Sequence, residues 1–419
     1  MLEKTLLKWL IMKLKMVKVK LHIIYKIVFF IFLFTVVSRG FFELFLEKKT
    51  AFLVQIIIIS FFIITSLLFF KVKLSSKYLS IQALIFVVFV FSAIFSSIIT
   101  IYLENGGAPF FYSGIMCFLA FVSIFISSFN INKTWKIDIG KMIVILVLLL
   151  FGVAVYEQVT NTLMPGAWWH GTTVRPASLT GSKQHYAIIL SILTLYLFQY
   201  WLILRENTYL IGFFLGVIGV FLSLTRSGAM ILFLAFLPYL CYKFYIKHLM
   251  KIKTIVLLYL VIGGIFGLVF LLIYFDLQFF FDRMLSSIDT KSAGNGERVK
   301  AWFRGIDMML TSNNLLLGQY TGVVTNATRT VTNTKSFVVE SGTLQMLLNF
   351  GVIGFLSFYF ILFNIFSRIK KNQVFLFFVL FSFLCSTIVY QSIETIPFIV
   401  LLSLIPLVSN NIKTLSSIK

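Results

Sequence analysis

The stretch "RPASLTGSKQHYAIILSILTLYLFQYWLIL" occupies residues 175–204. From Tyr186 to Leu204 it carries no charged side chain. A run of that length matches the roughly 20 apolar residues that cross a hydrocarbon core of about 30 Å. Lipid offers backbone N–H and C=O groups no partner, so such a run must pair its own backbone as a helix. The front half is different. Arg175, Pro176, Gly181, Lys183 and His185 crowd the entrance of the span.

Working outward, the apolar pattern recurs along all 419 residues, of which 60% are hydrophobic and only 12% charged. The mean hydropathy is +1.00. A soluble domain carries about a quarter charged residues. No alternating strand pattern suggests a barrel. The fold class expected is all-α, a polytopic integral membrane protein of about 12 transmembrane helices. The spans fall near 22–38, 51–70, 81–103, 110–130, 142–160, 186–204, 208–225, 229–246, 254–275, 338–366, 374–391 and 395–409.

The net charge of +22 is accounted for by topology rather than nucleic acid. With the N-terminus inside, the short inner loops hold Lys71, Lys73 and Lys77, then Lys133, Lys136 and Lys141, then Lys247, Lys251 and Lys253, then Arg368, Lys370 and Lys371. That is the positive-inside pattern. Residues 1–21 then form a cytoplasmic basic amphipathic segment, 22–275 hold spans 1–9, 276–337 form a large extracytoplasmic loop, 338–409 hold spans 10–12, and 410–419 are a cytoplasmic tail. Cys117, Cys241 and Cys385 fall in or beside apolar runs and read as packing residues.

Two outer segments are long among short ones, 161–185 and 276–337. Long loops of that kind carry function. In "GERVKAWFRGIDMML", Val299, Trp302, Phe303, Ile306 and Leu310 recur at helical spacing, with Lys300, Arg304 and Asp307 on the other side. This predicts an interfacial helix, apolar face down. Arg175, Arg226, Arg298, Arg304 and Arg329 all fall on the outer side, against the positive-inside trend. A guanidinium suits phosphate because its fork donates two parallel hydrogen bonds. An interfacial arginine can also simply snorkel to lipid headgroups. Glu340 opens the tenth span, where a carboxylate is costly. It reads either as a base or as the partner of one of these arginines. His170 and His185 lack a carboxylate at ligand spacing, so no metal is expected.

The motifs "RPASLTG" before a span, "LSLTRSG" at a span hinge, "ERVKAWFRGIDMM" and "LLLGQYTG" in the large loop, and "ESGTLQMLLNFGVIGFLSFYF" entering the next span cover roughly residues 175–360. In this order they resemble the bacterial O-antigen ligase and polymerase superfamily, and within it the Wzy-type polysaccharide polymerases. The resemblance implies a glycosyltransferase that joins undecaprenyl diphosphate-linked oligosaccharide units at the outer face of the cytoplasmic membrane, building capsular polysaccharide or exopolysaccharide without a cofactor or metal. Arg175 and Arg226 match the arginines that hold the diphosphate, and Arg298 matches the arginine that begins the loop helix. Lys183, His185, Arg304 and Arg329 are carried as further substrate-binding candidates. Ligases of the superfamily place a histidine near the start of the span after the large loop. Glu340 and Ser341 stand there in this chain. That departure favours a polymerase, with Glu340, Arg226 and Arg298 as catalytic candidates. The implied partners are the lipid-linked oligosaccharide, the bilayer, a flippase and a chain-length regulator. Ligase-like transfer to another acceptor and transport of a lipid-linked oligosaccharide are the rival readings. A carrier would put charges at mid-membrane depth, whereas these cations gather at one edge.

Overall fold

Among the described residues each long apolar run folds as a helix, the one conformation that satisfies its backbone in lipid without outside help. The computed structural model describes residues 23–68, 73–103, 105, 108–130, 133–170, 173–243, 293–326, 338–370 and 373–409. The basic segment 1–21, the expected span 254–275, Arg329 and the tail 410–419 lie outside these residues.

Among the described residues six helices are long and apolar enough to cross a membrane: α3 (Lys48–Leu68), α4 (Ser76–Tyr102), α5 (Pro109–Ser127), α6 (Lys133–Thr160), α7 (Lys183–Leu204) and α11 (Gly342–Phe363). Five shorter apolar helical stretches join them: α1 (Ile23–Val37), α8 (Asn207–Leu222), α9 (Arg226–Cys241), α12 (Val374–Val389), and the pair α13 (Ile396–Ser403) and α14 (Ile405–Ser409). Two further helices, α2 (Arg39–Glu43) and α10 (Ala293–Leu310), lie in connections. The chain is an all-α membrane protein. Two short antiparallel ladders decorate it: β1 (Lys73–Leu74) pairs with β2 (Phe129–Asn130), and β3 (Trp168–His170) with β4 (Thr173–Arg175).

Helix α7 is the axis of the packing. It is buried over 78% of its apolar window and touches α6, α8, α9, α12 and α13. Helix α11 packs on α4, and α4 on α5. Outward-facing Ile57, Phe61, Leu84, Phe91 and Ile98 are exposed, as lipid-facing side chains would be. Helices α8, α9 and α12 have 16 residues each. At 1.5 Å per residue that is about 24 Å, short of a full hydrocarbon core. Their polar junctions therefore sit close to the apolar part of the bundle.

The structure corrects the sequence reading of two segments. The tenth span is interrupted. Gly351 has φ 63 and ψ −171, which breaks α11 about 14 Å along the helix from Gly342. Residues 315–322, expected in the loop outside the bundle, fill the break. Val352 and Ile353 donate their N–H groups to the carbonyls of Leu315 (3.0 Å) and Leu316 (3.1 Å). The Leu348 carbonyl accepts from the N–H groups of Gln319 and Tyr320. The Asn349 carbonyl accepts from Thr321 Oγ1 at 2.6 Å and from Ser96, and the Phe350 carbonyl accepts from Ser92 Oγ at 3.0 Å. An irregular backbone inside a bundle is tolerated only with such replacement partners. Gly318 (φ 79) and Gly351 allow the two strands of chain to touch. A Cβ on Gly351 would lie 2.4 Å from the Leu316 carbonyl oxygen.

The second correction concerns α10. Only part of its apolar surface faces outward: Phe303, Ile306 and Leu310 are exposed. Trp302, Met308 and Met309 instead pack on a small core of Val324, Val339 and Leu348. Gly305 sits against Leu344 and Val339. The helix is thus pinned to the start of α11, because Gly305 leaves room for it, rather than resting on a surface alone.

Candidate functional site

The "LSLTRSG" motif forms the turn between α8 and α9, and it is strained. Leu224 has φ 50, a left-handed conformation that a leucine rarely adopts. Arg175 holds it. The guanidinium donates from Nε to the Ser223 carbonyl (3.4 Å) and from Nη2 to the Leu224 carbonyl and to Thr225 Oγ1, both at 3.1 Å. Arg175 is 8% exposed. The β3–β4 hairpin sets its position by pairing Arg175 with Trp168. In turn Thr225 Oγ1 reaches the Lys183 carbonyl at 3.5 Å, so the start of α7 lies against the same turn. Arg175 was expected on a diphosphate. These three contacts with the turn make it a clamp on the residues just before Arg226.

The turn places Arg226 as the first residue of α9, partly exposed. From α10, Arg298 comes within electrostatic reach of Arg226. Its Nε donates to Glu340 Oε2 in an ion pair whose side chains are 35% and 38% exposed. Three of the expected residues, from three separate parts of the chain, therefore meet at the end of the bundle where α7, α9 and α11 begin. The Glu340 contact is the salt bridge that the sequence left open as an alternative to a base.

The other candidates are more dispersed. The Lys183 ammonium stands 5.0 Å from the centroid of Trp168, whose ring is 63% exposed. His185 is half-buried in the first turn of α7, in electrostatic reach of Arg39. Arg304 is exposed on α10. Among the described residues no group of three His, Cys, Asp or Glu side chains could hold a metal ion.

Two carboxylates went unremarked in the sequence. Glu157, on α6, is fully buried and accepts the backbone N–H groups of Ser178 (2.6 Å), Met164 (3.2 Å) and Ala177 (3.4 Å). Ser178 has φ 50, so Glu157 fixes a strained turn from one side as Arg175 fixes one from the other.

The second is Glu394, in the 3-10 turn Ser392–Glu394 between α12 and α13. Gln345 Nε2 donates to its Oε2 at 2.8 Å, and the Asn326 backbone N–H also donates to it. The Tyr112 hydroxyl lies beside it without good hydrogen-bond geometry. Burial pushes its carboxyl up to about 7, against the opposing pull of those donors. Tyr390 lies within electrostatic reach of Glu394, Arg298 and Glu340. Its hydroxyl donates to Gln184 Oε1 at 2.8 Å. A sequence signal for Glu394 existed: "SIETIP" puts an acid between two apolar runs in a chain with only 14 acidic residues.

The arrangement brings two guanidinium groups and two carboxylates into one neighbourhood, with Tyr390 in electrostatic reach of Arg298, Glu340 and Glu394. No model of a known protein family matches the chain, and no curated protein sequence matches it.

Proposed function

We propose that this chain is a polysaccharide polymerase of the cytoplasmic membrane. It joins undecaprenyl diphosphate-linked oligosaccharide units at the outer face by inverting glycosyl transfer. The single observation that carries this reading is the convergence of Arg226 and Arg298. They are far apart in sequence and within electrostatic reach in space, and Arg298 is ion-paired with Glu340. Each guanidinium fork can donate two parallel hydrogen bonds to phosphate oxygens. A lipid diphosphate is such a group, and its negative charge grows as the glycosidic bond to phosphate breaks. Fixed guanidinium groups in a partly dry site stabilise that growth without reorganising.

In this reading Arg226 and Arg298 receive the diphosphate. Glu340 holds Arg298 in place. Arg175 acts through the turn it clamps. Trp168 and Lys183 form a face at the same α7 entrance on which a sugar ring can stack. The growing chain on its lipid diphosphate is the donor and a new lipid-linked unit is the acceptor, so each cycle releases one lipid diphosphate.

The test is product length. Protein in liposomes receives a lipid diphosphate-linked repeat unit from its own host, and the sugars are resolved on a gel. A ladder of multiples supports the polymerase. Arg226→Ala is expected to lower its rate about 10²- to 10³-fold, the usual cost of removing one fixed transition-state donor. A single unchanged band with the intact protein overturns the reading.

A further inference from the structure

We propose that Glu394 accepts the proton of the attacking sugar hydroxyl during chain extension, an assignment that rests on the polymerase reading above. The geometry separates it from the other carboxylates at this end of the bundle. Glu157 spends its oxygens on three backbone N–H groups. Glu43 pairs with Arg39 at 2.6 Å, and Glu340 pairs with Arg298. Among the described residues no cation pairs with Glu394. It keeps some accessible surface.

The groups that face it come from every neighbouring element. Gln345 approaches from α11, the Asn326 N–H from the segment after α10, Tyr112 from α5, and Tyr390 from the end of α12. Beyond Tyr390 stand Arg298 and Glu340. Among the described residues the buried Gln345 Oε1 has no hydrogen-bond partner. Buried polar groups normally find partners. Here the vacant acceptor stands beside a carboxylate, which suits a visiting hydroxyl group. Gln345 serves both protonation states, since its amide offers Nε2 to a carboxylate and Oε1 to a carboxylic acid.

The step balances as follows. The acceptor hydroxyl oxygen forms a bond to the anomeric carbon of the donor sugar. The bond from that carbon to the diphosphate oxygen breaks, and its electron pair stays on the diphosphate beside Arg226 and Arg298. The hydroxyl proton passes to a Glu394 oxygen and then to solvent. Glu394 and Arg298 are both within electrostatic reach of Tyr390, so base and leaving-group cation belong to one neighbourhood of the fold. A carboxyl that titrates near neutrality is matched to this work.

The experiment measures the initial rate of ladder formation in liposomes between pH 5.5 and 8.5. It compares the intact chain with Glu394→Gln, Glu394→Asp and Glu340→Gln. The affinity for the lipid-linked unit and the unfolding temperature are measured beside it. The intact chain is expected to gain rate as pH rises through about 7. Glu394→Gln is expected to lose about 10²-fold or more in rate with its lipid affinity unchanged, and what remains is flat with pH. Glu394→Asp keeps part of the rate and the rise with pH. Glu340→Gln keeps the rise. A Glu394→Gln variant that retains the wild-type rate or its pH profile overturns the proposal and leaves the polymerase standing. Unfolding of both Glu394 variants in the membrane assigns the residue to the fold and overturns it too. An intact chain that makes no ladder fails at the earlier step and removes both.

Discussion

Replacing Glu394 by glutamine changes stability in a way that depends on pH and needs no substrate to see. The Glu394 carboxyl is raised from 4.5 to about 7 by burial. The sign follows from which state holds the proton. Between pH 4.5 and 7 the folded chain keeps it and the unfolded chain has released it. Stability therefore falls as pH rises across that window, by about 1.4 kcal/mol per pH unit and about 3 kcal/mol in all. Glutamine keeps the shape, still accepts from Gln345, and never ionises. At pH 5 the variant and the intact chain are expected to unfold alike. At pH 8.5 the variant is expected to be more stable by up to about 3 kcal/mol, roughly 3 °C or more in Tm for a chain of this length. The assay is thermal unfolding in detergent, followed by intrinsic fluorescence, with Glu340→Gln as the exposed control. A stability difference that stays constant from pH 5 to pH 8.5, or a variant less stable at pH 8.5, refutes the argument. Either result would mean that Glu394 is ionised and satisfied in the folded chain.

Three further outcomes are expected. Arg175→Ala should destabilise the protein by about 2 kcal/mol or more, since it strips a buried, strained turn of its donors, and thermal unfolding reads this; loss of lipid affinity with unchanged Tm would return Arg175 to the diphosphate. Gly351→Ala should abolish monodisperse protein on size exclusion, because its Cβ would meet the Leu316 oxygen at 2.4 Å, whereas Gly114→Ala and Gly152→Ala, with nothing within 4 Å, should be silent. Glu340→Gln should cost about tenfold in ladder rate, less than the 10²-fold or more of Arg226→Ala, because it only orients a guanidinium that remains.

What the sequence hides is set by how far apart the interacting parts are. Residues 186–204 announce a span, and α7 runs over Lys183–Leu204. The apolar run alone requires that. The turn at "LSLTRSG" was also readable, since α8 and α9 have almost no chain between them. The break in α11 was not. "NFGVIGF" reads as continuous helix, and what makes a break affordable is the chain at Leu315–Gly322 together with Ser92 and Ser96 on α4. No local pattern carries those partners. Arg175 shows a different limit. A guanidinium binds a phosphate or a trio of backbone and hydroxyl oxygens with the same donors, so residue type predicts the chemistry of the contact without choosing the partner. Glu394 shows a third. Its run is α12, 16 residues long, followed by the pair α13 and α14 over Ile396–Ser409. Both stretches are shorter than a full hydrocarbon core, so the turn between them lies close to the apolar part of the bundle, and an acid there loses much of its water. Short spans joined by polar turns are therefore where a membrane chain can perturb a charge while keeping it near the edge. Arg226 and Glu394 both stand at such turns, and on the polymerase reading one meets the leaving anion and the other takes the proton.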